Sequence, residues 1–170
     1  KMVTRLNKVG TRYVEVLDEG FHALNKKRVA TLNQIAQSCS IEYTVHAPFA
    51  DINIASPSKP ILAASFKRLK ESMIYANALN AKLWVFHSGN RTGISAFYPG
   101  EDWKQNIRGI LELHEAAETY GLNIAIENLP EKYGFLMKQP EDFIKFYKET
   151  GLNDVGIALD VGHANLEAKT

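Results

Sequence analysis

Hydrophobic residues fall along this chain in two alternating kinds of pattern. Five short runs are dense in aliphatic, aromatic and β-branched residues, and each predicts a strand: Tyr13 to Leu17, Glu42 to Val45, Leu83 to Phe86, Asn123 to Ile126 and Val155 to Leu159. Leu83-Trp84-Val85-Phe86 is apolar at every position. A strand covered on both faces by helices has that composition, which favours a parallel sheet. Between the runs lie segments with helical spacing. Ile61 to Ala81 carries Ala64, Leu69, Met73, Ala76 and Leu79, with Pro60 just before its first turn. Glu101 to Tyr120 carries Ile107, Ile110, Leu111 and Ala117 and is closed by Gly121. Gln139 to Thr150 opens on Pro140 and Glu141, presents Phe143, Ile144 and Tyr147, and is closed by Gly151. Residues 24 to 38 predict a weaker helix, and residues 1 to 10 the end of another.

Predicted strands beginning near residues 13, 42, 82, 122 and 155 have the rhythm of βα units rather than hairpins. A doubly wound open sheet would usually carry a glycine-rich phosphate loop after its first strand, and Asp18-Glu19-Gly20-Phe21 is no such loop. The alternative is the α/β class of the (β/α)8 TIM barrel, which needs eight strands. The chain opens in a helix without its strand and closes on a strand without its helix, so the expectation is strands two to six of a barrel, truncated at both ends. Residues 1–170 read as one incomplete domain with two sheet edges that other residues or another chain must protect.

Composition narrows the function without naming it. Hydrophobic residues at 45% and charged residues at 23% describe a soluble globular domain. Twenty Lys and Arg against 19 Asp and Glu leave a net charge of +1, which supplies no electrostatic case for nucleic acid or an acidic membrane. The single cysteine, Cys39, can form no internal disulfide and fits a reducing cytoplasm. No apolar run approaches a membrane span of about 20 residues.

Chemistry concentrates at the strand ends. Tyr43-Thr44-Val45-His46, Trp84-Val85-Phe86-His87, Ile124-Ala125-Ile126-Glu127 and Ala158-Leu159-Asp160 each close an apolar run with a residue able to bind a metal. In a barrel such strand ends converge on one mouth. Chance alone would fill four chosen strand ends this way about once in a few thousand cases at ordinary composition. Imidazoles with carboxylates favour zinc, manganese, iron or cobalt. Asp160-Val161-Gly162-His163 adds a second imidazole, Gly162 permitting a sharp turn that brings both side chains to the pocket and His163 binding metal or substrate. Long loops follow two of these strands, so Arg91 is a candidate contact for a phosphate or hydroxyl, and Phe49, Phe97 or Tyr98 for a pocket wall. His22 and His114 are poorer candidates, and Trp103 can pack or touch substrate.

At these residues the sequence resembles the xylose-isomerase-like superfamily of barrels, which includes sugar-phosphate isomerases and epimerases and the endonuclease IV group (AP endonuclease family 2). The match runs through His46-Ala-Pro-Phe, Ile52-Asn-Ile-Ala-Ser56, Phe86-His-Ser-Gly89, Ile126-Glu-Asn-Leu-Pro130 and Leu159-Asp-Val-Gly-His-Ala-Asn165. The resemblance implies a divalent-metal site, manganese or zinc first, with magnesium, cobalt or iron as alternatives. Glu127 and Asp160 would be ligands, and a histidine and a glutamate outside these residues would complete the site in the sugar enzymes. It implies a sugar or sugar-phosphate isomerase or epimerase working through an enediolate, with Glu127 as ligand and general base and His163 holding substrate oxygens. Its alternative is a zinc-dependent apurinic/apyrimidinic endonuclease in which His46, His87 and Glu127 hold one zinc, Glu127 and Asp160 share a second and His163 serves a third. The DNA partner belongs to that reading alone, and the acidic Asp18-Glu19 turn counts against it. A non-catalytic fragment or binding relic of the barrel is the third reading. Self-association is left open.

Overall fold

The computed structural model describes residues 2–130, 132 and 134–167. Eleven elements alternate along them: α1 (Met2–Val9), β1 (Tyr13–Leu17), α2 (Lys26–Cys39), β2 (Glu42–His46), α3 (Lys59–Ala78), β3 (Leu83–Phe86), α4 (Glu101–Tyr120), β4 (Ile124–Glu127), α5 (Pro140–Thr150), β5 (Gly156–Ala158) and α6 (Val161–Glu167). Short 3-10 turns at Gly20–His22 and Gly93–Phe97 interrupt two of the βα loops. The strands form one sheet in chain order, β1-β2-β3-β4-β5, every neighbouring pair parallel. The predicted strands therefore all exist, within one or two residues at each end. Residue 1 of the predicted first helix lies outside the described residues.

Alternation along the strands divides the side chains between two faces. Tyr43, Val45, Trp84, Phe86, Ile124 and Ile126 enter the core beneath the helices, where they meet Leu69, Met73, Ile110, Leu113 and Phe146. Burying each large apolar side chain of this kind contributes about 1.5–3 kcal/mol. Trp84 is fully buried and its indole N–H donates to Ser72 Oγ at 3.1 Å, so its one polar atom is satisfied. The intervening positions face the other side of the sheet, which would be the inside of a barrel, and there the strand ends carry His46, His87 and Glu127. Val85 pairs with His46 on one side and Ala125 on the other. His87 and Glu127 therefore lie level, each two residues further on.

The helix faces depart from expectation in detail. Leu69, Met73, Ala76 and Leu79, Ile110 and Ala117, and Phe143 are buried as their spacing predicts, whereas Ala64, Leu111 and Ile144 are exposed and Ser65 and Phe66 in α3, Leu113 in α4 and Phe146 in α5 join the buried faces. Apolar spacing of three or four fixes the centre of a face but leaves its margin open, and packing against the sheet set that margin a residue away. Gly121 and Gly151 do end their helices in the left-handed region, at φ of 64° and 70°. The expected stop straight after the fifth strand is corrected: α6 begins at Val161, directly beyond Asp160.

Candidate metal centre

Glu127 ends β4 with only 7% of its surface exposed. Its Oε2 receives two imidazoles, His46 Nε2 at 3.0 Å from the end of β2 and His87 Nε2 at 3.1 Å just beyond β3. Its Oε1 lies 3.4 Å from His163 Nδ1 in α6. Asp160 joins from the other side, its Oδ2 3.9 Å from the same nitrogen. Two overlapping groups result, His46-His87-Glu127 and Glu127-Asp160-His163, each offering ligand atoms within 4.8 Å of one another.

Neighbouring hydrogen bonds fix the proton positions. His46 Nδ1 lies 2.8 Å from the carbonyl of Ala47, and His163 Nδ1 lies 2.9 Å from the carbonyl of Asn128. A carbonyl only accepts, so both Nδ1 atoms carry their hydrogens, and His46 Nε2 is left to face Glu127. A neutral His46 would thus point a lone pair at a carboxylate oxygen, which is tolerable only if Nε2 gains a proton or a cation lies between them. Burial pushes the His46 imidazole down, but the hydrogen bonds to Glu127 and Ala47 outweigh it and leave it raised above the usual 6.5. Burial likewise opposes ionisation of Glu127, and the two imidazoles overcome it and hold the carboxyl at about 2. Two imidazole nitrogens and a carboxylate, with a second carboxylate and imidazole adjoining, suit a divalent cation of the zinc or manganese kind.

Local sequence explains the arrangement. Asp160 Oδ1 accepts the backbone N–H of His163 at 2.8 Å, the pattern of a helix N-cap, so α6 fixes Asp160 and His163 together. Gly162 belongs to this helix rather than to the sharp turn expected of it. A Cβ there would come within 3.0 Å of Asp160 Oδ1, so the glycine makes room for the carboxylate. Asn128 is the residue that reading the strand ends missed. Its side chain accepts from Asp160 N–H at 2.6 Å and donates to Asp160 O at 3.1 Å, and its own carbonyl takes the His163 hydrogen. The sole sequence signal was its place directly after Glu127.

Among the aromatic candidates, Phe49 stacks on His87 with centroids 5.1 Å apart and meets His46 edge-on at 5.5 Å. Phe135, from the loop after β4, meets His87 edge-on at 5.7 Å. The structure does not bring Arg91 to the cluster: its Nε pairs with Asp102 at 3.3 Å, and most of the side chain is exposed. Phe97 and Tyr98 are exposed on their loop. His114 binds Asp154 at 2.8 Å on α4, His22 is exposed in its 3-10 turn, and Trp103 donates to Glu149 at 2.6 Å with Lys145 over its ring. The acidic turn after β1 also needs correction. Asp18 is fully buried against Arg68 Nη2 at 2.7 Å, and Glu19 accepts three backbone N–H groups, so neither is a free acid at the mouth and neither argues about DNA.

The model of the xylose isomerase-like TIM barrel family matches residues 3–170. The chain belongs to that family. Among its relatives, an uncharacterized protein of Methanocaldococcus jannaschii is 31% identical over 89% of this chain and 52% of its own length. D-psicose 3-epimerase of Ruminiclostridium cellulolyticum is 23% identical over 97% of this chain and 58% of its own length. A crystal structure of a D-tagatose 3-epimerase-like protein superimposes with a TM-score of 0.89 at 29% identity, covering 96% of this chain and 61% of that one. One of a D-psicose 3-epimerase in the presence of D-fructose gives 0.79 at 20% identity, covering 99% and 60%. The chain spans about half to three fifths of the length of the curated relatives it matches. The His46-His87-Glu127-Asp160-His163 cluster lies at the C-terminal ends of the strands, where this architecture places active sites.

Proposed function

We propose that this chain carries the metal-binding part of a sugar isomerase or epimerase site. The observation that supports the reading most is the meeting of His46, His87 and Glu127 from three successive strands, with Asp160 and His163 alongside, in a chain whose similar structures include a D-tagatose 3-epimerase-like protein and a D-psicose 3-epimerase. Glu127 and Asp160, with His46 and His87, would hold a divalent cation, manganese or zinc by donor type. When bound, such a cation supplies the Lewis acidity that makes the C–H beside a ketose carbonyl labile.

The chain's own residues do the rest. Glu127 is ionised at neutral pH and has its second oxygen, Oε1, on the side of His163, so it is placed to take the substrate proton and return it. Loss of that proton leaves an enediolate of the sugar; return from Glu127 restores the starting sugar, and a proton delivered to the opposite face by a second acid, the glutamate that the family resemblance places outside these residues, gives the epimer. His163, oriented through Asn128, offers Nε2 to a substrate oxygen. Phe49 supplies an apolar wall suited to the C–H face of a sugar, while Arg91 contributes only if its pairing with Asp102 opens. The substrate is a small sugar, and a cytoplasmic setting remains part of the proposal.

The natural full-length polypeptide carrying these residues, loaded with Mn2+ or Zn2+ and given ketoses in D2O, should incorporate deuterium at the inverting carbon. Glu127→Gln should abolish both the exchange and stoichiometric metal binding. Cleavage of abasic duplex DNA without any sugar exchange would overturn the reading in favour of the nuclease, and absence of bound metal in favour of a non-catalytic relic.

A further inference from the structure

We infer that Glu19 is a positioning residue for the metal centre, acting through Phe49 on His87; the inference rests on the metal-centre reading above. Glu19 follows β1 and reaches across to the loop after β2. Its Oε2 accepts the backbone N–H groups of both Phe49, at 2.8 Å, and Ala50, at 2.9 Å, while Oε1 accepts that of Gly20 at 2.8 Å. One carboxylate thus fixes the segment that carries the Phe49 ring, and a carboxylate accepting backbone N–H groups makes stronger bonds than a neutral acceptor.

His87 depends on that ring more than an ordinary metal-binding imidazole would. Such a histidine usually donates its second nitrogen to a carbonyl or carboxylate, which fixes its orientation. His46 has Ala47 and His163 has Asn128 for this purpose. Among the described residues, His87 Nδ1 is buried with no hydrogen-bond partner. The ring is held instead through Nε2 on Glu127 and by packing, stacked at 28° on Phe49 and edge-on to Phe135. Phe49 does by contact what a second hydrogen bond does elsewhere, and Glu19 holds Phe49. Glutamine at position 19 keeps the shape but has one acceptor oxygen where the carboxylate has two, so it cannot serve both the Phe49-Ala50 pair and Gly20.

The test compares wild type, Glu19→Gln, Phe49→Leu and the double variant, by NMR of the histidine ring protons in the metal-free chain and by competitive titration with Zn2+. The His87 resonances should move in both single variants, while those of His114 on α4, paired with Asp154 before β5, stay in place and report an intact fold. Zinc affinity should fall about tenfold in each single variant, the loss typical of removing an orienting partner. The double variant should be no weaker than Phe49→Leu. Glu19→Gln with unmoved His87 resonances and affinity within twofold of wild type would overturn the inference, as would losses that multiply in the double variant. If the wild type binds no zinc, the metal-centre reading fails, and the ring resonances still decide whether Glu19 orients His87. Neither measurement uses sugar conversion.

Discussion

Replacing Gly89 by alanine measures how closely the loops behind the candidate metal centre are packed. Gly89 lies two residues beyond His87, and an ideal Cβ built on it would fall 2.4 Å from Ala55 Cβ and 2.6 Å from Ala55 N. Carbon atoms in contact prefer about 3.5–4.0 Å, so the loops after β2 and β3 would have to part by roughly 1 Å. Backbone cannot rotate out of the way as a side-chain end could. The same loops are joined by Asn53, whose Oδ1 accepts from Ala55 and Asn90 at 2.9 Å and whose Nδ2 donates to Asn90 O at 3.0 Å, and by Asn106 Oδ1, which accepts from Gly89 itself at 2.8 Å. Overpacking alone costs about 1–3 kcal/mol. Straining one or two buried hydrogen bonds adds about 1 kcal/mol each. Gly89→Ala should therefore destabilise by about 3 kcal/mol, lowering the melting temperature by roughly 6–12 °C in a chain of this size. Urea unfolding followed by tryptophan fluorescence reads this directly. Gly93→Ala is the matched control, because a Cβ there meets nothing within 4 Å, and it should change stability by less than about 0.5 kcal/mol. A loss below about 1 kcal/mol at Gly89, or an equal loss at Gly93, would refute the close-approach argument.

Two further predictions concern buried charge. Asp18→Ala removes the acceptor for Leu24 N–H, at 2.6 Å, and the partner of Arg68, and should cost about 3 kcal/mol as a shift in urea midpoint; Asp18→Ala with Arg68→Met should cost less than the two single changes added together. In metal-free protein, the stability difference between wild type and Glu127→Gln should peak between about pH 4.5 and 6.5. Glu127 is held at about 2, below its ordinary 4.5, so its contribution is complete above 4.5 and is lost as pH falls toward 2. His46 is raised, so its contribution to the same contact is complete below 6.5 and is lost as pH rises through the raised value. Saturating Zn2+ should remove the alkaline fall, since neutral imidazole is then the bound form. Urea melts across pH 2–9 test both limbs, and a flat difference would contradict the contact.

Strand positions and the alternation of βα units were legible because a two-residue period and helix-ending glycines are local signals. Gly121 and Gly151 need no tertiary partner to be recognised. Which polar residues of α3 and α4 turn inward was less legible. Ser65 and Asn106 are buried polar residues because the loop that leads into each helix folds back on them, Ser65 accepting from Asn53 N–H and Asn106 from Gly89 N–H. No local pattern announces a partner so far along the chain.

The same limit governs the site. Asp18 and Glu127 present one appearance in sequence, an acid directly after an apolar strand, and both are buried. What separates them is the residue each meets. Arg68, fifty positions away, stays charged and neutralises Asp18 permanently, which makes that carboxylate part of the scaffold. Glu127 meets imidazoles, whose protons a cation can displace, so its counter-charge is exchangeable. Metal-binding character at a strand end therefore lies less in the acid than in the titratability of its partners, and that property appears only once the strands are side by side. By this criterion Glu19, satisfied by backbone N–H groups alone, belongs with Asp18 in the scaffold, yet the segment it fixes carries the ring against His87. A carboxylate that binds nothing exchangeable can in this way control a centre that it never touches.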